Sequence, residues 1–272
     1  MRLMDIGVNL MHPSFDRDRE AVLRSAEEQG VSPLIITGTD ETGSRIAREY
    51  AASFPGRLYA TAGVHPHGAK NWGAGSGAVL RELAAKPEVV AIGECGLDYN
   101  RDFSPRDAQR RCFEAQLRLA AELGLPLFLH ERDAFADFSA ILGQYRGEIK
   151  RMVVHCFTGT EGELFKYLEL GCHIGITGWI CDERRGRHLL PLIKKIPPDR
   201  LMLETDAPFL LPRSLPERPR RNGRNESRYL PYIASVVARW GEKESAQLAG
   251  ETYLAGCRFF GINEGEPPPP RG

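Results

Sequence analysis

Residues 89–99 read VVAIGECGLDY. Four small and β-branched apolar residues, Val89, Val90, Ala91 and Ile92, predict a strand buried on both faces, and Gly93 predicts the sharp turn that ends it. Glu94 is therefore expected at the C-terminal tip of a parallel strand, the end that opens onto the active-site face of an α/β fold. A polar residue just past a strand ordinarily does no more than start a solvated loop. The carboxylate acquires chemical meaning only if other strand tips carry matching ligands.

Outward from this strand the chain alternates between the two periodicities. Strands are expected at residues 3–8, 34–37, 58–64, 127–129, 152–154, 173–177 and 201–205 as well. Helices are expected at 14–29, 42–52, 79–85, 105–123, 134–145, 160–170, 186–195, 229–240 and 244–260. Ser104 and Pro105 read as N-cap and first helical residue, and Thr160 with Glu163 as a capping box. Eight strands alternating with helices, with no linker between them, predict a (β/α)8 TIM barrel of the metal-dependent hydrolase type over residues 1–263. Residues 264–272, with four prolines in a row, are expected to form a disordered tail.

The 272 residues hold 36 Lys plus Arg against 36 Asp plus Glu, a formal net charge of zero. No global basic field advertises a nucleic-acid partner, so such binding requires a local patch. The six cysteines, Cys95, Cys112, Cys156, Cys172, Cys181 and Cys257, contain no C-x-x-C pair and suit reduced thiols in a cytoplasm. The first ten residues, MRLMDIGVNL, carry no apolar h-region, and no apolar run reaches membrane-spanning length. The expectation is a cytoplasmic, monomeric enzyme with no membrane partner.

The strand tips carry His65, Glu94, His130, His155 and Asp206, from the third, fourth, fifth, sixth and eighth strands. A lone histidine after a strand is usually a packing or capping residue. Three histidines and two acids converging on the mouth of one barrel exceed what packing explains, and together they suit a divalent ion with open positions for water and substrate. Mg²⁺ is the expected ion, with Mn²⁺ or Zn²⁺ also suited to imidazole.

The segments GVHPH (63–67), GECGLD (93–98), HERD (130–133), HCFTG (155–159), GITG (175–178) and ETDAP (204–208) resemble, in order and spacing, the TatD family of metal-dependent deoxyribonucleases. The resemblance covers nearly the whole chain, from Asp5 to about Ile262. It implies a TIM barrel, phosphodiester hydrolysis, a metal held by Glu94, His130, His155 and Asp206, and His65 close to the scissile phosphate. Catalysis is then expected to rest on Asp206, His65 and Glu94, with Asp206 orienting the attacking water and taking its proton. It further implies 3′–5′ exonuclease action on single-stranded DNA and RNA, in DNA repair or turnover. One departure stands out. Most of the family opens with Asp-x-His-x-His, whereas this chain reads Asp5-Ile6-Gly7-Val8-Asn9. The absent histidine pair predicts one well-held ion and a second that is absent or recruited with substrate phosphate.

The local basic patch is expected after Asp206, where Arg213, Arg218, Arg220, Arg221, Arg224 and Arg228 face only Glu217 and Glu226. Of these, Arg220, Arg221 and Arg224 are taken with His65 as the substrate-binding set, since arginine forks match phosphate oxygens. Arg184, Arg185 and Arg187 form a second basic turn, and Tyr99, Phe157, Trp179 and Phe209 stand near tips where they could stack on bases. Two hydrolytic rivals share the barrel: an amidohydrolase acting on a small amide or ring, and a D-aminoacyl-tRNA deacylase. Many amidohydrolases use a modified lysine where this chain has Glu94. A non-enzymatic nucleic-acid binder would need the arginines but not the ligand set.

Overall fold

Eight runs of buried aliphatic residues pair side by side in chain order in the computed structural model, which describes residues 1–216 and 223–263. They are β1 (Leu3–Val8), β2 (Val31–Ile36), β3 (Leu58–Ala62), β4 (Val89–Asp98), β5 (Leu127–Arg132), β6 (Met152–Val154), β7 (His173–Ile176) and β8 (Leu201–Leu203). Every neighbouring pair from β1–β2 to β7–β8 is parallel. The seam between β8 and β1 is closed by backbone bonds from Asp206 N to Gly7 O (2.9 Å) and from Asn9 N to Ala207 O (2.8 Å). The buried Asp5 carboxylate locks it by accepting from the backbone N (2.9 Å) and hydroxyl (2.5 Å) of Thr205. The expected TIM barrel is present.

The covering helices are α1 (Arg19–Glu28), α2 (Glu41–Ala52), α3 (Ser76–Ala84), α4 (Arg106–Leu123), α5 (Phe135–Gln144), α6 (Glu161–Glu169), α7 (Leu230–Trp240) and α8 (Ser245–Phe260). Each lays a stripe of apolar residues on the barrel. In α4 the stripe is Cys112, Phe113, Leu117, Leu119 and Ala120, and Phe113 stacks on Phe138 of α5 at 5.1 Å. The Thr160–Glu163 capping box forms at the start of α6. Inside the barrel, Met4, Ile6, Ile35, Tyr59, Val90, Phe128, Val153 and Met202 make a second cluster with Tyr253, Cys257, Phe259 and Phe260 of α8. The last helix thus seals the end of the barrel opposite the strand tips, which leaves the tips as the open face.

The largest departure from the expected elements is β4. Gly93 does not end it; the strand runs ten residues and pairs with β5 as far as Asp98 opposite Arg132. Gly93 and Gly96 take φ of 134° and 149°, and a side chain at either would collide with the carbonyl oxygen of Phe128 or His130 on β5. Only glycine allows that approach. Between Ile92 and Cys95 the register shifts, three steps on β4 against two from Leu127 to Leu129 on β5, which is a bulge. Glu94 therefore sits within the strand, in the bulge, with its N–H bonded to Gly38 O at 2.7 Å, rather than at a tip beyond it.

Three smaller corrections have local causes. Residues 187–195 coil as a 3-10 helix because Pro191 lies inside and has no N–H for an α-helical ladder. The stretch before α1 makes a separate 3-10 turn, Pro13–Phe15, that buries Phe15. Ser104 does not cap α4, whose N-cap is Pro105; its hydroxyl donates to His67 O (2.7 Å) and accepts from Lys70 N (3.1 Å). The expected tail at 264–272 lies outside the described residues.

Candidate active site and metal centre

The strand tips bound a cleft of about 1020 Å³ whose lining includes His65, Glu94, His130, His155 and Asp206. All five residues expected from the strand pattern are therefore brought together. Glu94, aimed inward by the bulge, is their centre. Its Oε1 lies 2.8 Å from His130 Nδ1, 3.2 Å from His155 Nε2 and 3.4 Å from His65 Nε2. Three imidazoles from three different strands or strand ends converge on one buried carboxylate oxygen.

The protonation states follow from this packing. Burial alone would raise the Glu94 carboxyl, but the His65, His155 and His130 imidazoles outweigh it and hold it well below the usual carboxylate range. Burial likewise opposes charge on His130, yet Asp98 and Glu94 push that imidazole up to about 9. His155 is also raised well above its ordinary value, by Glu204 and Glu94 acting against burial. His65 goes the other way: burial brings it down to about 4, and its Nδ1 accepts from His67 N at 3.1 Å, which leaves the proton on Nε2. Asp206 is pushed up to about 7, first by burial and then by Glu94 and Glu204 against the pull of His155. Its Oδ1 accepts from the Asn9 side-chain amide at 2.9 Å.

These donors fit a divalent metal ion. His65, Glu94 and His130 each present one ligand atom, and the three atoms lie within 4.8 Å of one another. His130 Nε2 is buried with no hydrogen-bond partner; Asp98 Oδ2 is 3.4 Å away, in ion-pair range but without hydrogen-bond geometry. A buried imidazole nitrogen left without a bond is a donor awaiting a cation. A ligating imidazole must be neutral, so a metal displaces protons here. For the metal-free protein, uptake of Mn²⁺ at pH 7 is expected to release at least one proton, because His130 carries one below about 9. Its apparent affinity is expected to rise at least tenfold per pH unit up to that value, since each proton displaced adds a factor of about ten. Calorimetry in buffers of different ionisation heat counts the protons, and zero release contradicts the assignment.

The residues missed by the sequence reading stand directly behind the expected ones. Glu204, fully buried, bonds His155 Nδ1 at 3.0 Å and accepts from Cys156 N at 2.6 Å. Asp98 bonds His67 Nε2 at 2.7 Å and, with its other oxygen, accepts from Asn100 N and Arg101 N. All three side chains lie inside motifs already quoted, ETDAP, GECGLD and GVHPH. Reading β4 through its glycines would have placed residues 94, 96 and 98 on one face.

Gly7 also gains a reason. A Cβ there would collide with Glu204 Oε2 and stand 2.9 Å from Phe128 Cζ. The space a histidine would need at position 7 is filled by Glu204.

The basic loop divides differently from its expectation. Arg224 does not line the cleft; its guanidinium is spent on Asp18 (2.9 and 2.8 Å), Glu226 (2.7 Å) and Ser14 O (2.6 Å), over the Phe15 ring. Arg213 pairs with Asp182 and Glu183, and Arg228 with Glu226. Arg220 and Arg221, with Arg218, lie outside the described residues. Of the aromatic residues, Trp179 and Phe209 line the cleft, whereas Phe157 is buried and Tyr99 bonds Asp137 at 2.7 Å.

A TIM barrel that gathers imidazoles and carboxylates at its open mouth defines a metal-dependent hydrolase. The comparisons narrow the class. The family described as TatD related DNase matches residues 4–261, and the chain belongs to that family. A protein of Rahnella sp. (strain Y9602) named 3′-5′ ssDNA/RNA exonuclease TatD is 51% identical over 261 residues, covering 96% of this chain and 99% of its own. A protein of the same name from Citrobacter rodentium (strain ICC168) is 48% identical over 260 residues, 96% of this chain and 98% of its own. Among solved structures, a TatD homologue from Escherichia coli K12 superposes with a TM-score of 0.86 at 26% identity, covering 96% of this chain and 99% of that one. No helix among the described residues is long and apolar enough to cross a membrane.

Proposed function

We propose that this protein removes nucleotides from the 3′ end of single-stranded DNA or RNA by metal-dependent hydrolysis of phosphodiesters. The observation that carries this reading is the convergence of His65, His130 and His155 on Glu94 Oε1, within 3.4 Å, beside Asp206 in the same cleft. The relatives named exonucleases supply the substrate class and the polarity. Although His65 also presents a ligand atom, Glu94 with the two imidazoles nearest its Oε1, His130 and His155, would hold the ion and leave His65 for the phosphate; the ion when bound supplies Lewis-acid polarisation of a phosphoryl oxygen and a water more acidic than bulk. Two imidazole ligands favour Mn²⁺ or Zn²⁺ as occupants, while Mg²⁺ suits the missing histidine pair because it borrows phosphate and water ligands.

The protein groups divide the remaining work. Asp206, with its carboxyl raised to about 7, takes the proton of the attacking water near neutral pH, and the Asn9 amide fixes its orientation. His65 is neutral with its proton on Nε2, so it donates to a non-bridging phosphate oxygen as negative charge builds there. Digestion of 5′-labelled single-stranded DNA, duplex DNA and RNA under Mg²⁺, Mn²⁺ and Zn²⁺ tests the reading. The expected result is a ladder shortening from the 3′ end of the single strands. Intact strands under all three ions would overturn it.

A further inference from the structure

Most of the described arginines pair with a carboxylate, but Arg132 does not. It lines the cleft, donates from one Nη to Thr158 Oγ1 at 3.1 Å, and has no acidic partner among the described residues. Its guanidinium lies over the Trp179 ring, 4.9 Å from the centroid. A second guanidinium, that of Arg185, lies over the same ring at 4.2 Å. Stacking on indole is favourable for each cation and fixes both guanidiniums beside the same ring.

What holds Arg185 there is the buried Asp182, whose Oδ2 accepts from Arg185 Nε at 2.9 Å. That carboxylate is shared. Arg184 and Arg213 also face its Oδ1, at 3.6 and 3.5 Å, and Arg213 reaches Glu183 at 3.7 Å. Arg132 and Arg185 both line the cleft, Arg132 has no acidic partner among the described residues, and the bond to Asp182 uses only Nε of Arg185. A pair of guanidinium forks held over one indole at the cleft wall is suited to a phosphate.

The position fixes which phosphate. Arg132 follows His130 by two residues on β5, so both side chains project from the same face of the strand, about 6.6 Å apart along it. This is the spacing of neighbouring phosphates on one strand. We propose that Arg132, Trp179 and Arg185 form a subsite for the phosphate next to the scissile one, with the Trp179 indole also offering an edge for the adjoining base. The inference rests on the nuclease reading and adds to it where the strand runs: across β5 toward the turn after β7.

The test uses three substrates with the metal-loaded enzyme: a short single strand, the same strand with one uncharged methylphosphonate in place of the phosphate next to the terminal linkage, and bis(p-nitrophenyl) phosphate, which has no neighbouring phosphate. For the wild-type protein, the methylphosphonate is expected to lower kcat/KM by about tenfold or more. Arg132→Ala should lower cleavage of the all-phosphate strand by a similar factor, with a much smaller effect on the small diester. In Arg132→Ala the methylphosphonate should then add little, because the charge and its partner form one coupled pair. The salt slope of strand binding should also fall by about 0.7. Arg132→Lys, which keeps the charge without the fork, is expected to lie between. Losses that multiply, or an Arg132→Ala enzyme as selective for the strand as wild type, would overturn the subsite while leaving the nuclease reading intact. A wild-type enzyme that cleaves neither strand nor small diester would overturn both.

Discussion

Glu94→Gln is expected to lower cleavage of a single-stranded oligonucleotide by about 10³-fold or more, with the chain still folded. The magnitude is at least that of removing one preorganised electrostatic group from an active site. The cause is that Glu94 is the one group contacting all three imidazoles: its Oε1 is within 3.4 Å of His65, His130 and His155. A neutral amide is a poor metal ligand and cannot hold His130 and His155 in their charged, metal-free arrangement. Both rings would then lose their protons nearer the ordinary imidazole range. The barrel should survive, because the apolar layer of Val90, Phe128 and Val153 is built beneath the site and does not depend on Glu94. Circular dichroism, calorimetric metal titration and oligonucleotide digestion check the three parts. Turnover near wild type would show that Glu94 does not organise the centre.

What the sequence revealed follows from where each signal is stored. The strand alternation and the capping box of α6 are local, and both were legible. His65, His130 and His155 were legible because each follows a buried apolar run that has only one way to lie in a barrel. Glu94 was found for a partly mistaken reason: Gly93 looked like a turn, whereas it is the residue that lets β4 approach β5 and bulge. That error hid Asp98, which lies on the same strand and beside His130. Arg224 shows a different limit. Its bidentate partner Asp18 is 206 positions away, so no count of charges within the loop could reveal that it is already paired. Gly7 is the plainest case. In the sequence it is a missing ligand; in the fold it is the room taken by Glu204.

That last exchange leads to the other large expected effect. Glu204 is fully buried, with Gly7 on one side and Gly175 on the other, and a Cβ at either glycine would collide with its carboxylate. Its two oxygens are committed to His155 Nδ1 and Cys156 N, so it fixes both the tilt of the His155 ring and which of its nitrogens faces Glu94. Glu204→Ala should cost about 3–5 kcal/mol, the usual penalty for leaving one member of a buried charged pair without the other. At about 2–4 °C per kcal/mol, the melting temperature should fall by roughly 10 °C. Glu204→Gln keeps the shape and removes the charge, and should lower kcat by about 10- to 100-fold, as losses of a carboxylate behind a ligating histidine do. Gly7→Ala separates geometry from charge. It removes no ionisable group, yet the added methyl must displace Glu204 Oε2. If Glu204 acts by holding His155 in place, Gly7→Ala will reproduce much of the kcat loss of Glu204→Gln and weaken metal binding with it. An unaltered kcat in Gly7→Ala, or a Glu204→Ala protein that melts with the wild type, would remove the carboxylate from the machinery and leave the glycine at position 7 without its explanation.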